Sequence, residues 1–124
     1  LDLSGKVLST VSFSSNSLRM FEASGEYAAL VLNEDTIGTE HRLIVLNDGG
    51  KTAFDNTIVS DLGDLALSED TVMLLGAQSL ACVDVKKGKT VFHKTDKSYS
   101  EVHPLSDKRA VLIYEDSAYV VSVK

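Results

Sequence analysis

The chain has 124 residues, enough for one domain with a hydrophobic core. Hydrophobic residues make up 44% and charged residues 24%, which excludes a disordered chain, and one proline with eight glycines excludes a collagen-like sequence. The net charge is −6 and the basic residues are scattered, which excludes nucleic acid as an expected partner. The one basic group, Lys86, Lys87 and Lys89 around Gly88, is typical of a solvated turn.

No apolar run reaches the roughly 18 residues that a transmembrane helix needs, so we expect no membrane contact within this chain. The N-terminus lacks the basic-then-apolar layout of a signal peptide. Because the chain begins at Leu1, we interpret it as a processed chain or an excised piece. The single cysteine leaves the redox compartment open.

Two landmarks recur along the chain. Gly-Lys occurs at Gly5-Lys6, Gly50-Lys51 and Gly88-Lys89, spaced 45 and then 38 residues. A second pattern keeps almost the same spacing: an apolar residue and a serine precede a polar turn and an apolar run, at Ser24, Ser68 and Ser106. Matching spacings indicate an internal repeat of roughly forty residues.

Each repeat predicts four short strands and no helix. In the second repeat we predict strands at 62–67, 72–75, 80–85 and 90–94, rich in Val and Leu and separated by turn residues. The repeats run over about 16–58, 59–95 and 96–124. We expect residues 1–13 to supply the strand that the third repeat lacks. The first and last segments of the chain would then share one blade, which covers two sheet edges that would otherwise be exposed. The whole chain, 1–124, is thus interpreted as a single domain.

This pattern predicts an all-β, propeller-like fold of three four-stranded antiparallel blades. Propellers typically have four to eight blades, so three blades make either a partial propeller or half of a six-bladed ring closed by a homodimer. A compact barrel or sandwich built from the same strands is the alternative.

The Gly-Lys segments carry a family resemblance. Residues 82–92, CVDVKKGKTVF, resemble the blade motif of quinoprotein-type (PQQ-type) propellers, in which an aspartate, a Gly-Lys turn and an aromatic residue recur. Residues 44–54 and 1–8 are looser copies. Phe54 and Phe92 stand where that family places a docking tryptophan, and no quinone-binding residue can be matched, so no cofactor is expected. The resemblance is closest to non-enzymatic propellers that are exported or tethered outside bacterial cells, which implies an extracytoplasmic location.

The side chains capable of metal or thiol chemistry do not form a motif. His41, His93 and His103 fall in different strands, and their spacing in the sequence is not that of metal ligands. A zinc site with Cys82 would form only if the fold happened to bring these residues together. Cys82 lies in an apolar run and is expected to pack as a small hydrophobe. In the 33–40 insertion, Asn33, Asp35 and Glu40 offer oxygens, but Ile37 breaks the register of a calcium loop. This insertion is nevertheless the first choice for a binding loop.

Serines and carboxylates give no catalytic pattern. The cluster of Ser12, Ser14, Ser15 and Ser17 lacks a nucleophile elbow, and the repeated Ser24, Ser68 and Ser106 indicate turn chemistry in which the hydroxyl bonds to the backbone. We expect the remaining acidic candidates to lie in turns; they are Asp61, Asp64, Glu69 and Asp70. No catalytic, cofactor-binding or metal residue is predicted.

We therefore predict a non-catalytic propeller segment that acts as an interaction or scaffolding module, with another protein as its partner. The alternative is an enzyme or small-ligand sensor whose site lies at the propeller axis. Non-equivalent polar residues from the three repeats around one axial opening favour the alternative, and equivalent residues favour the scaffold.

Overall fold

The structure is a computed structural model that describes residues 10, 12, 18–33, 40–59, 62–106 and 108–122. All regular elements in these ranges are β-strands. They are β1 (Leu18–Ser24), β2 (Tyr27–Asn33), β3 (Glu40–Asn47), β4 (Thr52–Val59), β5 (Leu62–Ser68), β6 (Thr71–Gly76), β7 (Ser79–Asp84), β8 (Lys89–Lys94), β9 (Glu101–Pro104), β10 (Arg109–Tyr114) and β11 (Ser117–Ser122).

These strands form three separate antiparallel meanders. The first sheet contains β1 to β4, the second β5 to β8 and the third β9 to β11, each strand hydrogen-bonded to its neighbour in sequence. The predicted all-β, propeller-like fold is confirmed. The strand predicted to complete the third blade, from 1–13, lies outside the described residues apart from Thr10 and Ser12, and so does Asp61.

Of the Gly-Lys landmarks, Gly50-Lys51 and Gly88-Lys89 lie in turns between the third and fourth strands of a sheet. Gly50 and Gly88 have φ of +82° and +68°, a left-handed conformation that glycine adopts without a Cβ penalty. The last residue of the preceding strand also stabilises each turn through its side chain. Asn47 Oδ1 accepts hydrogen bonds from the amides of Gly49 and Lys51, both at 3.0 Å, and Asp84 Oδ1 accepts one from the amide of Lys87 at 3.0 Å.

Two apolar layers of the core lie one on each side of the second sheet, and Leu30, Leu32 and Ile44 are also buried, on the far side of the first sheet. Because successive strand residues point to opposite faces, β6 buries alternate residues against the first and the third sheet, and all six of its residues are buried. The layer between the first and second sheets contains Ala29, Val31, Leu43, Val45, Leu62, Leu65, Leu67, Val72, Leu74, Ala81, Val83 and Val85. The layer between the second and third contains Ala66, Met73, Leu75, Leu80, Cys82, Tyr99, Val102, Ala110 and Leu112.

The first strands of the three sheets form the inner edge of this stack. β5 contacts β1 on one side and β9 on the other. In a propeller the first strand of each blade lines the axis, so this edge corresponds to the axial side. The hypothesis of a site at the propeller axis depends on the side chains that lie at this inner edge.

Candidate functional site

A groove of about 270 Å³ runs along the inner edge of the sheets. One titratable side chain comes from β1, Glu22, one from β5, Asp64, and two from β9, Glu101 and His103. The rest of the lining is apolar and comes from β5 and β9. Residues from all three repeats therefore meet at one opening.

At each equivalent position of this inner groove the side chain differs from one repeat to the next. Strand register places Met20, Asp64 and Glu101 at one position, because they pair with the corresponding residues of the next strand. It places Glu22, Ala66 and His103 at the other. Non-equivalent polar residues at an axial opening are the feature that distinguishes a ligand site from a purely structural axis.

Two contacts organise the groove. Asp64 Oδ2 accepts a hydrogen bond of 2.9 Å from the backbone amide of Val102, which ties the second sheet to the third. His103 Nε2 lies 3.1 Å from Glu101 Oε1, and both side chains are more than half exposed. Asp64 was expected in a turn, but it lies within β5. Its hydrogen-bond partner, Val102, is 38 residues away in the chain, and no local sequence pattern predicts a contact over that separation.

A second cavity, of about 350 Å³, opens between the outer parts of the second and third sheets. Its floor is apolar, from Leu80, Leu112 and Val121. Its polar wall comes from β8, β11 and the connection after β8, and comprises His93, Lys94, Thr95, Asp96, Tyr99 and Ser122. This volume falls within the range of small-molecule sites, roughly 300–1,000 Å³. We call it the inter-sheet cavity.

One hydrogen bond shapes the mouth of the inter-sheet cavity. The Tyr99 hydroxyl donates to Asp96 Oδ1 at 2.9 Å. This bond lowers the pKa of Asp96 because it stabilises the carboxylate, and nearby Lys97 acts in the same direction. The same bond raises the pKa of Tyr99, since the phenol must keep its proton to donate it, and burial adds to the rise.

The third sheet also has an apolar face directed away from the second. Ala110 and Leu112 pack on the second sheet, so the alternating Val111 and Ile113 point outward. The neighbouring strand adds Ala118, opposite Ile113, and Val120, opposite Val111. Val120 is 64% exposed. These four residues, Val111, Ile113, Ala118 and Val120, are called the outward face below.

The three histidines lie in different strands, as the sequence predicts: His41 in β3, His93 in β8 and His103 in β9. His41 is 1% exposed, and neither of its ring nitrogens has a hydrogen-bond partner among the described residues. Asn33, its cross-strand neighbour, has an unpaired buried Oδ1, and His93 has an unpaired buried Nε2. Sequence reasoning missed these buried polar atoms because burial depends on the packing of whole sheets.

The other predicted candidates are dispersed. Cys82 is buried between the second and third sheets, as expected for a small hydrophobe, and burial raises its pKa to about 11. Ser106 Oγ accepts a hydrogen bond of 3.1 Å from the amide of Lys108, whereas Ser24 and Ser68 are the last residues of their strands.

Glu69 and Asp70 lie in the turn between β5 and β6, where Lys86 Nζ is 3.8 Å from the Asp70 carboxylate. In the insertion, Asn33 ends β2 and Glu40 begins β3; residues 34–39, Ser14, Ser15 and Ser17 lie outside the described ranges. Among the described residues, no group of three or more His, Cys, Asp or Glu side chains is arranged to hold a metal ion. None of the described ranges contains a helix that could cross a membrane.

The three stacked antiparallel meanders define an all-β repeat protein of the propeller-like class. The chain belongs to the family of unknown function DUF5711, whose model matches residues 4–123. No curated protein matches its sequence significantly.

Among solved structures, the chain is similar to the computationally designed Ika8 protein, at 15% identity and a TM-score of 0.70 over 98% of this chain and 38% of that one. It is also similar to the computationally designed Ika4 protein, at 12% identity and a TM-score of 0.54 over 97% of this chain and 99% of that one. At these identities the likeness concerns the fold alone.

Proposed function

We propose that this chain is a non-catalytic propeller segment that acts as an interaction module, and that its binding surface is the outward face. One observation carries the proposal: the repeat places a buried apolar patch at the same positions in the first two sheets. In the first sheet the patch is Ala29, Val31, Leu43 and Val45; in the second it is Met73, Leu75, Leu80 and Cys82.

Each of these patches packs against the next sheet along the chain. Val45 is 0% exposed and Cys82 9%, whereas Val120, at the equivalent position in the third sheet, is 64% exposed. Val120 is as apolar as Val45 and Cys82, the residues at the equivalent positions. The outward face is therefore as hydrophobic as the faces that pack between sheets. Covering an exposed valine side chain contributes roughly 1.5–3 kcal/mol, which makes a further sheet the natural occupant.

The occupant we propose is a second copy of this chain. Its first sheet presents Phe21, 57% exposed, and Leu18, 42% exposed, on the side opposite the second sheet. These two residues form the exposed part, on β1, of the face at which a sheet packs against the preceding one. On the same face Leu30 and Ile44 are already buried, at 8% and 3% exposure, so the contact we propose is with β1. Two copies that each place the outward face against the partner's first sheet would close a ring of six sheets.

The test is the mass of the 124-residue chain in solution, measured by light scattering behind a sizing column. We expect a dimer of twice 13.4 kDa, and we expect Val120→Lys to be a monomer because it places a charge in the contact. Val91→Lys is the matched control, since Val91 is 51% exposed on β8 and lies outside the outward face. A monomeric wild type at all concentrations would overturn the second copy as occupant.

The inner groove favours a second candidate function, a small-ligand site at the axis. Glu22, Asp64, Glu101 and His103 line this groove at positions whose side chains differ between the repeats, and three of the four are carboxylates. This function predicts a cationic ligand that raises the melting temperature of the wild type but not that of Glu22→Gln/Glu101→Gln. The control is Glu115→Gln, in the exposed turn before β11. The absence of any such ligand from a thermal-shift screen would leave the interaction module as the better account.

The remaining expectations rest on the sequence. The resemblance to quinoprotein-type propellers stays a prediction, as does the extracytoplasmic location that it implies. The acidic net charge of −6 supports a protein partner rather than nucleic acid.

A further inference from the structure

Three of the four tyrosines of the chain cluster beside the inter-sheet cavity. The ring centroids of Tyr99 and Tyr114 are 6.1 Å apart with an interplanar angle of 75°, and those of Tyr99 and Tyr119 are 5.8 Å apart at 74°. Both pairs are therefore edge-to-face contacts, the arrangement that the ring quadrupole favours. Tyr99, Tyr114 and Tyr119 are called the tyrosine cluster.

A cation already lies at this cluster. Lys97 Nζ is 5.4 Å from the ring centroid of Tyr114 and 5.3 Å from that of Tyr119, within the roughly 6 Å limit of a cation–π contact. The same nitrogen lies 3.6 Å from Asp96 Oδ2. Two aromatic faces and a carboxylate thus surround one ammonium group, which is the set of partners that proteins use to recognise organic cations.

The carboxylate is held in place for this contact. Asp96 Oδ1 accepts the hydrogen bond from Tyr99, and Tyr99 in turn makes edge-to-face contacts with the other two rings. The Tyr99 ring is nearly buried, at 9% exposure, so the cluster is anchored in the core.

Lys97 is a partly exposed occupant of the cluster. It lies in the connection between β8 and β9, its side chain is 33% exposed, and it must give up rotamer freedom to stay over the rings. A primary ammonium also loses strong hydration on contact with aromatic faces. A quaternary ammonium loses less, because its methyl groups make no hydrogen bonds to water.

The inter-sheet cavity extends the site. Tyr99 of the cluster and its hydrogen-bond partner Asp96 both line the wall of this cavity. A ligand with its ammonium over the tyrosines can therefore place the rest of the molecule on the apolar floor formed by Leu80, Leu112 and Val121. The floor and the cavity volume suit a small organic molecule.

We propose that the tyrosine cluster and Asp96 form a binding site for a small quaternary ammonium compound, which the Lys97 side chain occupies when that compound is absent. The site is separate from the outward face, and it stands or fails independently of the proposed interaction function.

The test is a titration of the full chain with tetramethylammonium and with choline, followed by tyrosine fluorescence, since the chain has no tryptophan. We expect saturable binding to the wild type, and binding about fivefold tighter to Lys97→Met because the competing ammonium is removed. Tyr119→Leu in the Lys97→Met background should abolish binding. The matched control is Tyr27→Phe, which changes the tyrosine outside the cluster and should bind as the parent does.

Two further measurements decide the chemistry of the ligand. 3,3-Dimethylbutanol, the uncharged analogue of choline, should not bind; equal binding of the two would overturn a cation site. A peptide with trimethyl-lysine carries the same head group, and its tighter binding than choline would overturn the choice of a small compound. A last outcome would overturn the proposal as a whole. It is that the NMR signals of all three tyrosine rings stay unchanged at millimolar tetramethylammonium in a Lys97→Met protein that circular dichroism shows to be folded.

Discussion

The carboxylate of Asp64 and the backbone amide of Val102 join two sheets through a hydrogen bond of 2.9 Å. Val102 is 1% exposed, so its amide has no access to water as a replacement partner. Asp64 lies next to the inner groove, where the blades converge. The bond therefore fixes how the third sheet sits on the second, and it also shapes the wall of the groove.

Removing this acceptor should destabilise the protein. We expect Asp64→Ala to lower the free energy of unfolding by about 1–3 kcal/mol, because the buried amide of Val102 loses its partner. Asp64→Asn keeps an oxygen acceptor and should lose less. The measurement is urea unfolding followed by circular dichroism, with Asp116→Ala in an exposed turn as control. Equal stability of the alanine variant and the wild type would mean that the contact contributes nothing.

The titration of Tyr99 should depend on Asp96. The pKa of Tyr99 is raised from 10.0 by the hydrogen bond to the carboxylate, so its absorbance near 295 nm should change at higher pH than that of a free phenol. Because the folded pKa lies above the unfolded one, the stability from this bond is present below pH 10 and is lost as the pH rises through the folded value.

Asp96→Asn should move this titration back toward the ordinary value, and Tyr99→Phe should remove it from the curve altogether. The pKa of Asp96 is lowered, so at acidic pH its contribution is present above the unfolded value and disappears as the pH falls through the folded one. A Tyr99 titration that is unaffected by Asp96→Asn would contradict the assignment.

Cys82 should be inert in the folded protein. Its pKa is raised to about 11 by burial, so both the thiolate population and access to the sulfur are small. At pH 8 a disulfide reagent should modify it only as fast as the protein unfolds, and denaturant should accelerate the reaction. Ser98→Cys in the Cys82→Ser background, at an exposed position, is the fast-reacting control. Equal rates for the two thiols would show that Cys82 is accessible.

Replacing His41 with an apolar residue should stabilise the fold. Both ring nitrogens of His41 are buried without a partner among the described residues, and each such group costs folding free energy. We expect His41→Leu to raise the free energy of unfolding by about 1–2 kcal/mol in the same urea assay. His103→Leu, at an exposed site, should change it by no more than about 0.5 kcal/mol. A large loss of stability at position 41 would indicate that the imidazole has a partner after all.

Two hairpin turns offer a matched test of backbone strain. Glu69 has φ of +53°, and Gly25 occupies the equivalent turn position in the first sheet at +60°. The left-handed region costs a non-glycine residue about 1–2 kcal/mol, so Glu69→Gly should stabilise the protein by up to about 1 kcal/mol. A Cβ on Gly25 would meet nothing within 4 Å, so Gly25→Ala should destabilise through conformation alone. Shifts of the same sign in both variants would argue against this account.

The sequence by itself determined the repeat and the local structure. The spacing of Gly50-Lys51 and Gly88-Lys89 predicted strand connections, and the glycines do adopt the left-handed φ that such turns need. Short runs rich in Val and Leu, bounded by turn residues, predicted the strands of the second repeat to within one or two residues. These features depend on neighbours in the chain, so a local pattern is sufficient to reveal them.

Only the tertiary structure decided where the chemistry lies. Asp64 and Val102 are 38 residues apart, and Glu22 joins the groove from another sheet. The tyrosine cluster brings together a connection and two strands. The sequence also could not tell that Val120 is exposed while Cys82, at the equivalent position, is buried. The two residues obey the same pattern, and their difference depends on whether another sheet is packed against them, a property of the assembled fold rather than of the chain.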